Sequence, residues 1–201
     1  MRRIYFTEED SKYCYKNTKV LINKYGIKDF DTLKKVEKEI SAVKIAVLMS
    51  SCAVKNVFDF EYFKEIHKFI FEELYEWAGQ IRTLRLEKDG FPFAFPENIE
   101  PESKRIFSEL KNENYLQGYD YDIFTKRMAY FMTELNVLHP FREGNGRVNR
   151  VFFRKLAEMN GYEINFEYVK KEEYLEAIIK SSVFCEINFL EKLLERCLKK
   201  L

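Results

Sequence analysis

The sequence predicts an all-α domain that carries one small β-hairpin. Apolar residues recur at three- and four-residue intervals through most of the chain. One segment, Thr83-Leu84-Arg85-Leu86-Glu87, instead alternates polar and apolar residues and runs into the turn signal Lys88-Asp89-Gly90. No internal repeat, low-complexity stretch or linker interrupts the pattern. At 201 residues the chain reads as a single domain, 1–201, large enough to bury a core without disulfides or metals.

The first helix is predicted over 31–54, capped by Asp31, with Leu33, Val36, Ile40, Val43 and Val47 on one face. The second covers 59–77, through Phe63, Ile66, Ile70 and Leu74, and stops at Gly79. Next comes the hairpin, about 82–96, with Phe91-Pro92-Phe93-Ala94-Phe95 returning on an edge where Pro92 is tolerated. Its phenylalanines alternate onto one face. Residues 120–138 form the strongest helix, behind Asp120, with Phe124, Met128, Phe131, Leu135 and Leu138. It ends at His139-Pro140, because proline disfavours helical geometry at the residue before it. A helix from near Gly146 to Asn160-Gly161 follows, then two more over 170–181 and 184–199.

Composition narrows the function classes. The 34 basic and 33 acidic residues leave a net charge of +1, so the totals do not indicate a nucleic-acid-binding protein. Cys14, Cys52, Cys185 and Cys197 form no CxxC pair, and with only two histidines no zinc-type ligand set is visible. Reduced thiols, the absence of an apolar leader and the absence of a membrane-length run predict a cytoplasmic protein with no membrane partner. His67 and Trp77 read as packing residues, and Tyr13 and Tyr15 as core by default. Lys170-Lys171 reads as a solvated helix start.

The chemistry concentrates in His139-Pro140-Phe141-Arg142-Glu143-Gly144-Asn145-Gly146-Arg147-Val148-Asn149-Arg150. Gly144-Asn145-Gly146 suits positive φ angles and can turn successive N–H groups towards an anion. The following helix adds free N–H groups and its positive dipole end. Arg147 and Arg150 share a face of its first turn and oppose that dipole, a conflict that a bound polyphosphate would remove. Glu143 is a candidate Mg²⁺ carboxylate beside the cradle, and His139 a candidate general base. Together they are equipment for moving a phosphorus-containing group to a hydroxyl.

These residues resemble the Fic-family signature HPFx[D/E]GNGRxxR at every specified position, over 139–150. Tyr75-Glu76-Trp77-Ala78-Gly79-Gln80-Ile81-Arg82-Thr83 resembles the family's lead into its flap hairpin, Phe93-Ala94 resembles the return strand, and the run from Tyr13 to Leu48 is similar to that of small bacterial members. The resemblance implies a Fic fold, a helical bundle with a β-hairpin flap, and transfer of AMP from ATP to a Ser, Thr or Tyr hydroxyl of a target protein. It implies that His139 deprotonates the hydroxyl and Glu143 binds Mg²⁺. Gly144, Asn145 and Gly146 would bind phosphates, Asn145 at the α-phosphate. Arg147 would hold the β- and γ-phosphates, Arg150 the γ-phosphate, and Phe141 the loop. Phe93 and Ala94 of the flap would dock an extended target segment.

Many members carry an inhibitory helix with the pattern [S/T]xxxE[G/N], whose glutamate pairs with the second signature arginine. Ser182-Val183-Phe184-Cys185-Glu186-Ile187-Asn188 has the serine–glutamate spacing, with the asparagine one residue late. By resemblance, an inhibitory helix over 181–199 would bring Glu186 to Arg150. A separate small antitoxin is the alternative restraint. Type II topoisomerase subunits are the targets that resemblance suggests, and self-association is compatible with the aromatic content. Alternative functions are a related transferase using another nucleotide, removal of AMP, or a silent nucleotide-binding module. The Doc branch, which moves the γ-phosphate, has lysine in place of the loop's second glycine, so Gly146 argues against it.

Overall fold

The computed structural model describes residues 12–50, 57–88 and 90–201. Cys52, the predicted end of the first helix at 54 and Asp89 of the hairpin turn lie outside them. Seven α-helices and two small antiparallel sheets are formed by the described residues. None of their helices is long and apolar enough to cross a membrane.

Helix α1, Phe30–Ser50, starts one residue early because its cap is Asp29, not the expected Asp31. Asp29 Oδ1 accepts from the Thr32 amide (2.8 Å) and hydroxyl (2.6 Å). Leu33 is buried and Val36 and Ile40 pack on the core, but Val43 and Val47 are 65% and 51% exposed, so the predicted apolar face is only half used. Helix α2, Phe60–Phe71, is capped by Asp59, which accepts from the Tyr62 amide (2.8 Å). It ends six residues before the predicted Trp77. Leu74 and Tyr75 both donate to the Phe71 carbonyl, and a series of turns leads to Gly79 at φ +80°.

The hairpin is shorter than predicted. Strand β1, Glu87–Lys88, pairs with β2, Phe91–Pro92, with Glu87 opposite Pro92 and Lys88 opposite Phe91. Phe91 and Phe95 are exposed while Phe93 turns inward, so the aromatics do not form one packed face. Directly behind it lies α3, Pro96–Asn112, which the sequence reading missed. Ile99, Ile106, Phe107 and Leu110 are its buried stripe. Pro96 suits the first helical turn, but Pro101 inside the helix removes an N–H and masks the pattern.

Helices α4 (Tyr121–Leu138) and α5 (Asn145–Met159) form the centre. Phe124, Met128, Phe131, Met132, Phe152 and Phe153 are completely buried, each worth roughly 1.5–3 kcal/mol of burial. Phe152 makes edge contacts with Phe58, Phe63 and Phe107 at 5.3–5.8 Å, joining α2 and α3 to α5. After α5, β3 (Tyr162–Ile164) pairs with a terminal strand β4 (Leu198–Lys200). Helix α6 runs Lys171–Phe184 and α7 Asn188–Cys197. The predicted helix over 184–199 is therefore interrupted at both ends: Cys185 sits at φ +58°, and the last turn becomes strand.

Candidate active site

The signature loop is held by the ends of α4 and α5. Asp120 caps α4 at its start, its side chain accepting from the Ile123 amide (2.9 Å). At its end His139 adopts the left-handed conformation, φ 44°, ψ 57°, turning the chain out of the helix. Its amide still donates to the Leu135 carbonyl (3.3 Å). Its ring Nδ1 lies 3.2 Å from the Asn136 carbonyl, which can only accept, so the ring proton sits on Nδ1 and Nε2 is left with its lone pair. The ring stacks on Phe93 of the flap, centroids 3.7 Å apart and planes at 14°. Burial holds the imidazole pKa down at about 3; the Asn136 bond opposes this, and Arg82 and Lys88 add to it.

Asn145 closes the loop on itself. Its Oδ1 accepts from the Phe141 amide (2.9 Å) and its Nδ2 donates to the Phe141 carbonyl (2.7 Å). Its side chain shapes the loop and keeps its second Nδ2 hydrogen for the expected α-phosphate contact. Phe141 is fully buried and stacks on His67 at 3.9 Å, as the loop-holding role requires. Gly144 has φ +84°, and a Cβ there would lie 2.3 Å from the Phe71 ring, so both conformation and space demand glycine. Gly146, by contrast, lies inside the first turn of α5 with ordinary room for a side chain. The positive-φ reading holds for the first glycine only. The amides of Asn145 and Gly146 find no acceptor among the described residues, and both line a cleft.

That cleft has a volume of about 540 Å³. Its polar wall is His139, Glu143, the Gly144–Gly146 turn and Arg150; its apolar wall is the flap with Ile178, Ile179 and Val183 of α6. Glu143 accepts from the Gly144 amide through Oε1 (2.9 Å) and remains half-exposed. A carboxylate beside free helix-terminal amides fits a Mg²⁺ ion shared with phosphate oxygens. Beneath it His67, fully buried, donates from Nε2 to the Glu143 carbonyl (3.0 Å) and accepts from Gly79 at Nδ1 (2.8 Å). Burial, opposed by the Glu143 bond and reinforced by Arg147, lowers its pKa to about 3. His67 is a packing residue, as expected, that also props the loop.

The two arginines diverge. Arg147 does not line the cleft. It turns to α1, pairing with Glu37 (2.6 Å) and donating to the Ser41 hydroxyl (3.0 Å) above the Phe71 ring. Glu37 also accepts from the Tyr75 hydroxyl. The guanidinium ties α1 to α5 and also lies 3.5 Å from Glu143 Oε1 at the edge of the cradle, so the expected role on the β- and γ-phosphates requires it to exchange these partners for phosphate. Arg150 faces the cleft beside Tyr174 of α6, its guanidinium 5.6 Å from the ring centroid, and no carboxylate among the described residues pairs with it. It is left as the cation opposing the helix dipole.

The expected inhibitory segment over 181–199 is helical in two pieces, the end of α6 and α7, broken between Phe184 and Asn188. Ser182 lies at the end of α6 and accepts from Asn136 Nδ2 (2.8 Å). Glu186 follows the left-handed break at Cys185, is exposed, and makes no ion pair with Arg150. A serine and glutamate four apart share a helix face only if the helix continues between them. Of the flap residues expected to dock a target, Phe93 faces the site, while the Ala94 amide donates to Val137 (3.1 Å) and its carbonyl accepts one bond from Arg82 (2.6 Å), leaving that oxygen a second lone pair. Arg82, which the sequence reading passed over, is the fully buried cation that joins flap and loop.

Residues 57–157 match the Fic/DOC family. The protein adenylyltransferase VbhT of Bartonella schoenbuchensis is 38% identical over 84% of this chain, which spans 35% of VbhT's length. The probable protein adenylyltransferase y4lH of Sinorhizobium fredii is 34% identical over 84% of this chain and 86% of its own. The BepC structure from Bartonella tribocorum with bound AMPPNP aligns with a TM-score of 0.89 at 28% identity, over 97% of this chain and all of that one. An N-terminal Fic domain from Bartonella quintana with bound ADP gives 0.89 at 30% identity, over 94% and 95%. With a family match across the core helices, and relatives at these identities covering most of its length, the chain belongs to the Fic/DOC family.

Proposed function

We propose that the chain is a nucleotidyltransferase that moves AMP from ATP to a hydroxyl of a target protein. The observation that carries this reading is the pairing of a histidine whose Nε2 is free with two unfilled helix-terminal amides in one cleft. Relatives named adenylyltransferases and Fic structures holding AMPPNP or ADP support the same chemistry. The amides of Asn145 and Gly146, the α5 dipole and Arg150 hold the phosphates. Glu143 would hold Mg²⁺, which neutralises phosphate charge when bound. His139 Nε2 takes the proton of the attacking hydroxyl, and Nδ1–H on Asn136 keeps the ring aimed. A hydroxyl oxygen then bonds to the α-phosphorus, the bond to the bridging oxygen breaks, and pyrophosphate leaves. Phosphate charge entering the cleft favours the imidazolium so formed.

The target docks as an extended segment on the flap, where Glu87 adds a main-chain edge to Phe93 and Ala94. The Phe93 amide donates to the Leu86 carbonyl (3.0 Å), which makes that pair a bonded one. Alternation then turns the N–H and C=O of Glu87 away from β2, giving a free edge.

The test supplies ATP labelled at the α- or the γ-phosphate to the chain, with Mg²⁺ and a bacterial lysate. Protein label from the α-position alone, lost in His139→Ala, is the expected result. Label from the γ-position would replace this reading with phosphoryl transfer.

A further inference from the structure

We propose that Arg82 is the positioning residue of the site: its buried guanidinium locks the flap to the carbonyl end of α4 and so fixes the backbone of His139. The proposal rests on the reading of His139 as the base. The end of any α-helix leaves its last carbonyls without internal partners. Here they are taken one by one. Leu135 accepts from the His139 amide, Asn136 from the His139 ring, and Val137 from the Ala94 amide of the flap. Arg82 supplies the rest: Nη2 reaches the Leu138 carbonyl at 3.5 Å and Nε donates to the His139 carbonyl at 2.7 Å. Its own amide donates to Pro140 (2.9 Å). The same guanidinium donates to both sides of the flap, Nη1 to the Leu84 carbonyl (2.7 Å) and Nη2 to the Ala94 carbonyl (2.6 Å).

The arrangement explains how a cation survives burial there. No carboxylate among the described residues pairs with Arg82, and burial lowers its pKa to about 10, still charged at neutrality. What offsets the desolvation is a fan of carbonyl oxygens at the negative end of α4. Only a planar fork with donors in several directions can reach the His139, Leu84 and Ala94 carbonyls together; a lysine ammonium is a single point. His139 is a non-glycine residue in the left-handed region, a conformation that persists only where surroundings enforce it. The carbonyl that this turn throws out of the helix is the one held at 2.7 Å. Arg82 does not line the cleft, so its contribution to the reaction is geometric rather than by contact with nucleotide.

The chain holds two histidines, so imidazole nitrogen NMR with ¹⁵N-labelled histidine reports on each separately. The wild type should show His139 as the Nδ1–H tautomer and His67 as the Nε2–H tautomer. In Arg82→Lys and Arg82→Met, His139 should lose its single tautomer while His67 keeps its own. Amide exchange over residues 84–94 should accelerate about tenfold or more with α4 and α5 unchanged. Mg-AMPPNP affinity should stay within about threefold, and α-label transfer should fall about 100-fold, as for a misplaced reacting group. Arg82→Lys behaving as wild type would overturn the proposal, because charge alone would then suffice. So would His67 and His139 changing together with loss of AMPPNP binding, the mark of a residue that merely stabilises the core. A wild type that transfers no label would refute the proposed activity, while the tautomers and the exchange rates would still decide on Arg82. If neither variant folds, the wild-type Arg82 Nε–H decides: slow exchange is expected, and exchange at the solvent rate would overturn the proposal.

Discussion

At the scale of single residues, Gly144 shows how the phosphate cradle is built by removing atoms. Its φ of +84° and the Phe71 ring 2.3 Å from any Cβ mean that no side chain fits. Gly144→Ala must therefore shift either the turn or Phe71, at roughly 1–3 kcal/mol for the backbone strain alone. We expect a lower unfolding midpoint together with loss of detectable Mg-AMPPNP binding by calorimetry. Gly146→Ala, where a Cβ meets only the flexible end of Arg150 at 3.6 Å, should keep the wild-type midpoint. The two histidines make a second prediction. Both are held near 3, against an ordinary value of about 6.5, chiefly by burial. Between those values the unfolded chain binds protons that the folded chain refuses. Their contribution to stability is full above pH 6.5 and falls as the pH drops towards 3. Urea midpoints measured from pH 7.5 to 4.5 should decline, and His139→Gln should flatten the slope by up to about 1.4 kcal/mol per pH unit. An unchanged slope would place His139 in a solvated setting.

At the scale of elements, α1 is fastened to the site by one polar cluster. Arg147 and Glu37 are 20% and 13% exposed, pair at 2.6 Å, and are joined by Ser41 and Tyr75. A half-buried pair of this kind costs more to break than a surface pair. A double-mutant cycle with Glu37→Gln and Arg147→Met should give a coupling energy of about 1–3 kcal/mol. Mg-AMPPNP affinity in either single variant should change by less than about threefold. A large loss of affinity in Arg147→Met alone would instead show that Arg147 leaves Glu37 to hold the phosphates. The pair also shows what a linear reading misses. The signature was legible as a set because its residue types cluster within one loop, and α4, α5 and the cap Asp120 stood out by periodicity and flanking signals. Which way each arginine turns depends on α1, distant in sequence. The same holds for Glu186, whose spacing from Ser182 assumes a helix that the left-handed Cys185 ends. Helix α3 was hidden by Pro96 and Pro101 although its stripe of Ile99, Ile106 and Leu110 was present. Arg82 was invisible because its partners are carbonyls, which carry no sequence mark.

At the scale of the molecule, the cleft lies where four elements meet: the end of α4, the start of α5, the flap and α6. The central pair α4–α5 is the deeply buried part, with core side chains along most of its length. The flap is thin by comparison, a two-residue ladder held by Arg82 and by the Ala94–Val137 bond. Nucleotide that bridges these parts stabilises the folded chain alone, because the unfolded chain has no cradle. At a Mg-AMPPNP concentration one hundred times its dissociation constant the gain should be about 2.7 kcal/mol. We expect urea unfolding to report it in the wild type, and Arg150→Ala to reduce it by weakening the affinity, since Arg150 is a cleft cation at the start of α5 that no carboxylate among the described residues holds. His139→Ala should retain it, because the base acts on the target hydroxyl rather than on bound phosphate. Amide protection should appear at residues 144–148 and along the flap but not at the exposed face of α1 around Val43 and Val47. Stabilisation that survives Arg150→Ala in full, with protection outside the cleft, would place the nucleotide elsewhere on the molecule and separate the family signature from the binding site.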